Sequence, residues 1–307
     1  MKKIIPLTGL VAAAHTPFKS DGSLNLAIIE QQAAHLLKHK ITAAFVAGST
    51  GESHSLTLAE RQQLAERWSA VTRGTKLGLV VHVGSNCLAD ARTLAAQAQQ
   101  VGAQAIAMLS PSYFKPRDLT TLIACCAEVA AAAPETPFYF YDFPSLTSTN
   151  FSMPDFLAQA PTRIPTLTGI KYTNSNLMDY QLCLHAEGGR FDIAYGCDEW
   201  ILAALALGAK GGVGSSYNFA APVYQRLFTA FAAGDLAVAQ TEQFRAVQLI
   251  RLLASFGFMG ASKVVMTMLG VDVGPARLPN GTLTAEQIKK LRTELEQLAF
   301  FDWIRPC

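Results

Sequence analysis

Five short segments of this chain carry side chains able to do chemistry, and each closes or follows an apolar run. They are Gly48-Ser49-Thr50-Gly51-Glu52, Tyr141, Lys171 with Thr173, Gly196-Cys197-Asp198-Glu199, and Gly214-Ser215-Ser216-Tyr217-Asn218. Lys171 is the most informative. It ends the apolar run 167–170, whereas most other lysines fall where helix surfaces or termini are expected. Burial disfavours an ammonium and lowers its pKa, and the free amine is a nucleophile toward carbonyl carbon. A strand-end lysine that simply reaches solvent would have the same local sequence. Tyr141 tips the balance, because it lies 30 residues earlier, one strand-plus-helix repeat. The two residues then end neighbouring strands about 4.8 Å apart. A phenol at that place is a plausible proton carrier for C–C bond cleavage, although an aromatic plug of the sheet would look the same.

The Gly-Ser-Thr-Gly turn offers backbone N–H groups and the hydroxyls of Ser49 and Thr50, a cradle for a carboxylate or phosphate. Small residues also make tight turns, so this motif is weak alone. Asp198 and Glu199 suit a helix N-terminus. With no histidines at ligand spacing beside them, they read as hydroxyl-binding or structural groups rather than metal ligands. The glycines of 208–214 lack the phosphate-loop pattern, and close backbone packing before a strand explains them better.

Something must position these groups. Short apolar runs alternate with helical patterns along the chain: LVAAAH, AAFVAG, LGLVVHVG, AIAMLS, FYFYD, LTGIKYT, FDIAYG and GGVGSS. The helices between them are expected near 26–39, 58–71, 88–100, 119–132, 155–159, 178–185, 199–207 and 223–231. Such alternation implies a parallel sheet, and continuous apolar strands imply burial on both faces. Eight units predict a (β/α)8 TIM barrel, whose active site gathers at the C-terminal ends of the strands. A doubly wound sheet is the main competitor, but no GxGxxG follows the first strand. Helices expected near 236–256, 262–269 and 284–298 form a C-terminal extension. Residues 1–233 are thus read as the barrel carrying the site, and 234–307 as helices packed on it.

Composition narrows the class. Of 307 residues, 50% are hydrophobic and only 16% charged, with net charge +2. That balance excludes intrinsic disorder and gives no electrostatic case for nucleic acid or an anionic membrane. The six cysteines include no CxxC pair, and two are adjacent. They read as reduced thiols of a cytoplasmic protein rather than disulfide or zinc ligands. The start, KKIIPLTGLVAAA, imitates a signal peptide, but Pro6, Thr8 and Gly9 interrupt it and a first strand is the better reading. No apolar run of about 20 residues lacks turns or charges, so no membrane span is expected.

Gly48-Ser-Thr-Gly-Glu52, the Tyr141-x-x-Pro144 step and Gly169-Ile-Lys171 together resemble the dihydrodipicolinate synthase/N-acetylneuraminate lyase superfamily. The chain is most similar to the animal-type branch of the lyases. GLVAAAHTPF, SLTLAERQQLAERW, VVHVG, EVAAAAPETPFYFYDFPSLT, GCDEWILAALALGA, GGVGSSYN and VGPARLP carry the likeness, from residue 9 to about 279. The resemblance implies a class I aldolase in which Lys171 forms a Schiff base with N-acetylneuraminate and Tyr141 moves the proton. Cleavage would release N-acetylmannosamine and pyruvate. It also implies that Ser49 and Thr50 hold the pyruvyl carboxylate. Thr173, Gly196, Asp198, Glu199 and Ser215 would bind the sugar hydroxyls. No metal or organic cofactor, and a homotetramer, are further implications. Leu146 replaces the arginine that dihydrodipicolinate synthases use to hold a second carboxylate. Asp142 stands where bacterial lyases often have asparagine, and Ser148 where glycine is usual. Tyr113 matches a position that reaches a neighbouring subunit's site. A related pyruvate aldolase or dehydratase acting on a 2-keto-3-deoxy sugar acid shares the same lysine and tyrosine and remains the alternative.

Overall fold

In the computed structural model, residues 6–305 are described. Eight strands close a parallel barrel in sequence order: β1 (Gly9–Ala13), β2 (Ala43–Val46), β3 (Gly78–His82), β4 (Ala105–Leu109), β5 (Phe138–Asp142), β6 (Leu167–Tyr172), β7 (Asp192–Tyr195) and β8 (Gly211–Gly214). The intervening helices are α1 (Ile28–Lys38), α2 (Leu58–Thr72), α3 (Leu88–Gln100), α4 (Leu119–Ala130), α5 (Pro144–Thr147), α6 (Met153–Gln159), α7 (Leu177–His185) and α8 (Ile201–Leu207). After β8 come α9 (Tyr217–Ala232), α10 (Leu236–Ser255), α11 (Phe258–Met268), α12 (Ala285–Gln297) and α13 (Phe300–Trp303).

The (β/α)8 barrel and its helical extension are those expected from the sequence. The stretch 9–13 pairs with both β2 and β8, so it is an integral strand. Helix starts follow local chemistry. Thr57 and Glu60 form a reciprocal capping box at α2, Thr284 and Gln287 another at α12, and Asp118 caps α4, satisfying N–H groups that have no partner within the helix. The eighth helix differs from expectation. It begins at Tyr217 rather than near 223 and is broken at Ala220, with Pro222 inside. Proline lacks the N–H needed for a regular ladder, which is why the sequence read as helix only beyond it. α5 and α13 are single turns too short to leave a periodic signature.

Two apolar layers hold the barrel. Ile106, Phe140, Ile170, Tyr172 and Ile193 face outward onto Trp68, Leu94, Phe156 and Tyr180 of the helices. Inside lie Val11, Ala13, Phe45, Val80, Ala107, Tyr139, Tyr141 and Val213. Alternation of strand side chains decides which layer a residue joins. A bulge intervenes between β5 and β6: Phe138 pairs with Leu167, but Tyr139 pairs with Gly169, leaving Thr168 unmatched. A one-residue slip exchanges the faces of a strand. Without the bulge the inward set of β6 would hold Thr168 and Ile170; with it, Gly169 and Lys171 point inward. Gly169 is required there, since any side chain would strike the Asp192 backbone. Of the glycines in 208–214, Gly211 packs as expected, since a side chain there would meet the backbone of Leu7 and Gly9, whereas Gly208 stands in open space and ends α8 in the left-handed conformation, φ 110°.

No single helix among the described residues is long and apolar enough to cross a membrane. α10 and α11 reach that composition only jointly, across a 113° bend.

Candidate active site

Tyr141 and Lys171 are direct register partners on β5 and β6. Both side chains lie inside the mouth of the barrel, 2% and 3% exposed. The Lys171 Nζ sits 3.8 Å from the centroid of the Tyr141 ring and 4.2 Å from that of Phe45. Burial pulls its pKa down to about 7, an effect that Asp198 and Cys197 partly oppose. A substantial fraction of this amine is therefore neutral near pH 7. The Tyr141 phenol behaves oppositely: burial pushes it above its ordinary value, while hydrogen bonds from Ser49 and Thr173 pull it back. It stays protonated, with its oxygen 3.3 Å from Ser49 Oγ.

The loop after β2 brings the two expected hydroxyls to this place. Ser49 meets Tyr141, and Thr50 Oγ1 lies 2.6 Å from Ser215 Oγ at the end of β8. Glu52 closes the loop in the left-handed conformation, φ 56°. Its carboxylate pairs with Lys263 of α11 at 2.6 Å, both side chains buried. Lys263 also donates to the carbonyls of Thr16 and Pro275, at 2.9 and 2.8 Å, and Thr16 Oγ1 donates to Gly51 O at 2.6 Å.

Beside these residues opens a cavity of about 420 Å³. Its walls include Thr173, Gly196, Asp198, Glu199 and Ser215, together with Phe143, Asn174, Cys197, Trp200 and Phe258. Thr173 turns its buried hydroxyl toward Tyr141. Gly196 lies directly against the Thr173 side chain, so nothing larger fits. Asp198 is 6% exposed and accepts from Ser216 N at 2.8 Å. Burial raises its carboxyl to about 6, with the Ser216 bonds and Lys171 acting the other way and Glu199 adding to the rise. All nine residues read from the sequence as site residues thus gather at one end of the barrel.

Some neighbours were not read from the sequence. Lys263 sits in an ordinary-looking helix, Ala-Ser-Lys-Val-Val, that gives no hint of burial. His82 was legible in principle, as a histidine inside the apolar run Val-Val-His-Val. It is wholly buried, edge-on to Tyr141 with ring centroids 6.0 Å apart, and its Nδ1 hydrogen-bonds Ala47 O at 2.9 Å. Burial and the nearby Arg61 hold it neutral. Asp142 accepts from Asn174 Nδ2 at 3.0 Å on the outer face of the barrel. Ser148 adopts φ 51°, the left-handed conformation glycine favours. Leu146 is exposed beside Ser49 and Asn280 in an adjoining depression.

Residues 6–298 match the model of the dihydrodipicolinate synthetase family. The chain belongs to that family. Among its relatives, N-acetylneuraminate lyase from Gallus gallus is 37% identical over 300 residues, 96% of this chain and 97% of that protein. The Mus musculus lyase is 38% identical, covering 96% of this chain and 93% of its own. Among solved structures, Proteus mirabilis N-acetylneuraminate lyase superposes with a TM-score of 0.93 at 38% identity, covering 96% of this chain and all of that one.

Proposed function

We propose that this protein is a class I aldolase that cleaves N-acetylneuraminate reversibly to N-acetylmannosamine and pyruvate. The observation that carries the reading is the buried Lys171 amine, its pKa pulled down to about 7 and its Nζ seated over the ring of its register partner Tyr141. Nζ attacks the C2 ketone of the open-chain sugar acid, and water leaves to give a protonated imine. The C3–C4 electron pair flows into that imine as the C4 hydroxyl loses its proton. N-acetylmannosamine departs, and protonation of the enamine followed by hydrolysis frees pyruvate and the amine. A neutral phenol accepts a proton only as it passes its own on, so proton movement runs through Tyr141 along its contact with Ser49 rather than ending on it. Ser49 and Thr50 hold the pyruvyl carboxylate, while Thr173, Gly196, Asp198, Glu199 and Ser215 line the sugar half. The reaction requires neither metal nor organic cofactor, because the lysine is the covalent catalyst.

We place the protein in the cytoplasm as a homotetramer, with residues 1–233 as the catalytic barrel and 234–307 as its helical support. The exposed Tyr113 and Phe114, in edge contact at 5.0 Å, are the side chains suited to meet a neighbouring subunit. Incubation with N-acetylneuraminate and borohydride should leave a reduced pyruvyl adduct on Lys171 and release N-acetylmannosamine. Lack of both outcomes refutes the reading. Preference for 2-keto-3-deoxygluconate in a substrate panel would move the assignment to a sister aldolase.

A further inference from the structure

We propose that Tyr224 and Ser216 are positioning residues that pin Asp198 through a buried hydroxyl relay and thereby set its second oxygen as the sugar acceptor. The proposal deepens the aldolase reading and rests on it. Asp198 Oδ2 accepts twice from one residue, from Ser216 N at 2.8 Å and Ser216 Oγ at 2.5 Å. A serine hydroxyl has one proton. Having given it to the carboxylate, Ser216 Oγ must accept from its other neighbour, the Tyr224 hydroxyl at 2.6 Å. The donors therefore run in one direction, Tyr224 to Ser216 to Asp198.

Ser216 and Tyr224 are fully buried, out of reach of any substrate in the cavity. Tyr224 comes from the far side of the break in α9, and its ring is packed edge-on against Tyr217 at 4.5 Å. In such surroundings each hydrogen bond strengthens the next, and none is exchanged for water. The other oxygen, Oδ1, lies over Gly214, where any side chain would overlap it. With Oδ2 pinned, the carboxylate cannot turn, and the cavity is offered one acceptor in one direction. That suits a sugar hydroxyl, which has a proton to give.

The test is steady-state kinetics in the condensation direction, with pyruvate and N-acetylmannosamine varied separately. Tyr224→Phe deletes one oxygen and leaves the ring packed. Ser216→Ala deletes the middle of the relay. Each should raise the KM for the sugar about 3–10-fold, the worth of one net hydrogen bond, with the KM for pyruvate within about 2-fold. Because Tyr224 acts only through Ser216, the double variant should be no worse than Ser216→Ala alone. An unchanged sugar KM, a parallel rise in both KM values, or multiplying penalties in the double variant overturns the relay. Failure of borohydride to trap pyruvate on the unmodified protein overturns the aldolase reading and the relay with it.

Discussion

An amine cut off from water inside the barrel is costly to protonate, and two measurements expose that cost at Lys171. Imine formation needs the free base, whose fraction rises about tenfold from pH 6 to pH 8 for a pKa near 7. The initial rate of cyanoborohydride-trapped pyruvate adduct should follow it, and a flat profile would contradict the assignment. Stability carries the same signature. Between about pH 7 and the ordinary lysine value, the unfolded chain holds a proton that the folded chain does not, so stability rises with pH across that window. Lys171→Met should abolish trapping yet gain about 1–3 kcal/mol in urea unfolding at pH 7, an activity-for-stability exchange. Asp142 shows the opposite sign. Burial raises its carboxyl to about 6, partly offset by the Asn174 amide. The folded chain keeps a proton there that the unfolded chain has lost, so stability falls as pH rises from the ordinary aspartate value to about 6. Asp142→Asn should flatten that slope and stabilise the protein by about 1 kcal/mol at pH 7.5, as read by denaturant midpoints.

At the level of elements, the loop after β2 is held from a part of the chain more than 200 residues away. Glu52 ends the Ser49–Thr50 turn, and its Oε1 meets Lys263 of α11 while its Oε2 accepts from Arg277 N at 2.7 Å. Removing one member of a buried pair leaves an uncompensated charge at about 3–5 kcal/mol, whereas neutralising both can cost far less. Lys263→Met alone should therefore destabilise by that amount and raise the KM for pyruvate. The double variant Lys263→Met, Glu52→Gln should regain much of the stability in chemical denaturation; equal losses in single and double variants would show that the pair is not coupled. The β5–β6 bulge is the other element-scale device. It spends one residue, Thr168, to turn Lys171 from the helix layer into the barrel.

For the molecule as a whole, the C-terminal helices are part of the same core as the barrel. Leu249, Leu253, Val265, Leu291 and Phe300 are buried in one cluster with Ile170, Tyr195 and Phe219, and α11 supplies the Lys263 ion pair to Glu52 in the loop after β2. Stopping the chain after Ala233 would uncover that apolar surface, so the truncated barrel should aggregate or lose its cooperative thermal transition. The 307-residue chain should unfold in one transition monitored by both tryptophan fluorescence and far-ultraviolet dichroism.

Much of this was readable without coordinates because it is periodic. Eight apolar runs at barrel spacing carry the topology, and the 30-residue interval between Tyr141 and Lys171 carries their adjacency, since both depend only on local order along the chain. Ser148 kept a glycine-type turn despite its side chain, and Leu146 lies exposed in the depression beside Ser49. Pro222 hid the start of α9, and single turns such as α5 left no period to detect. Three things were decided only in three dimensions. One was the inward face of Lys171, which depends on a bulge that no residue pattern announces. The others were the Glu52–Lys263 clasp and the Tyr224–Ser216–Asp198 relay, each of which ties a motif residue to a distant side chain, Lys263 or Tyr224, whose own neighbourhood looks like plain helix. A sequence specifies which groups exist and how strands and helices repeat. Register, burial and the direction of a hydrogen bond arise only when distant segments share one dehydrated space.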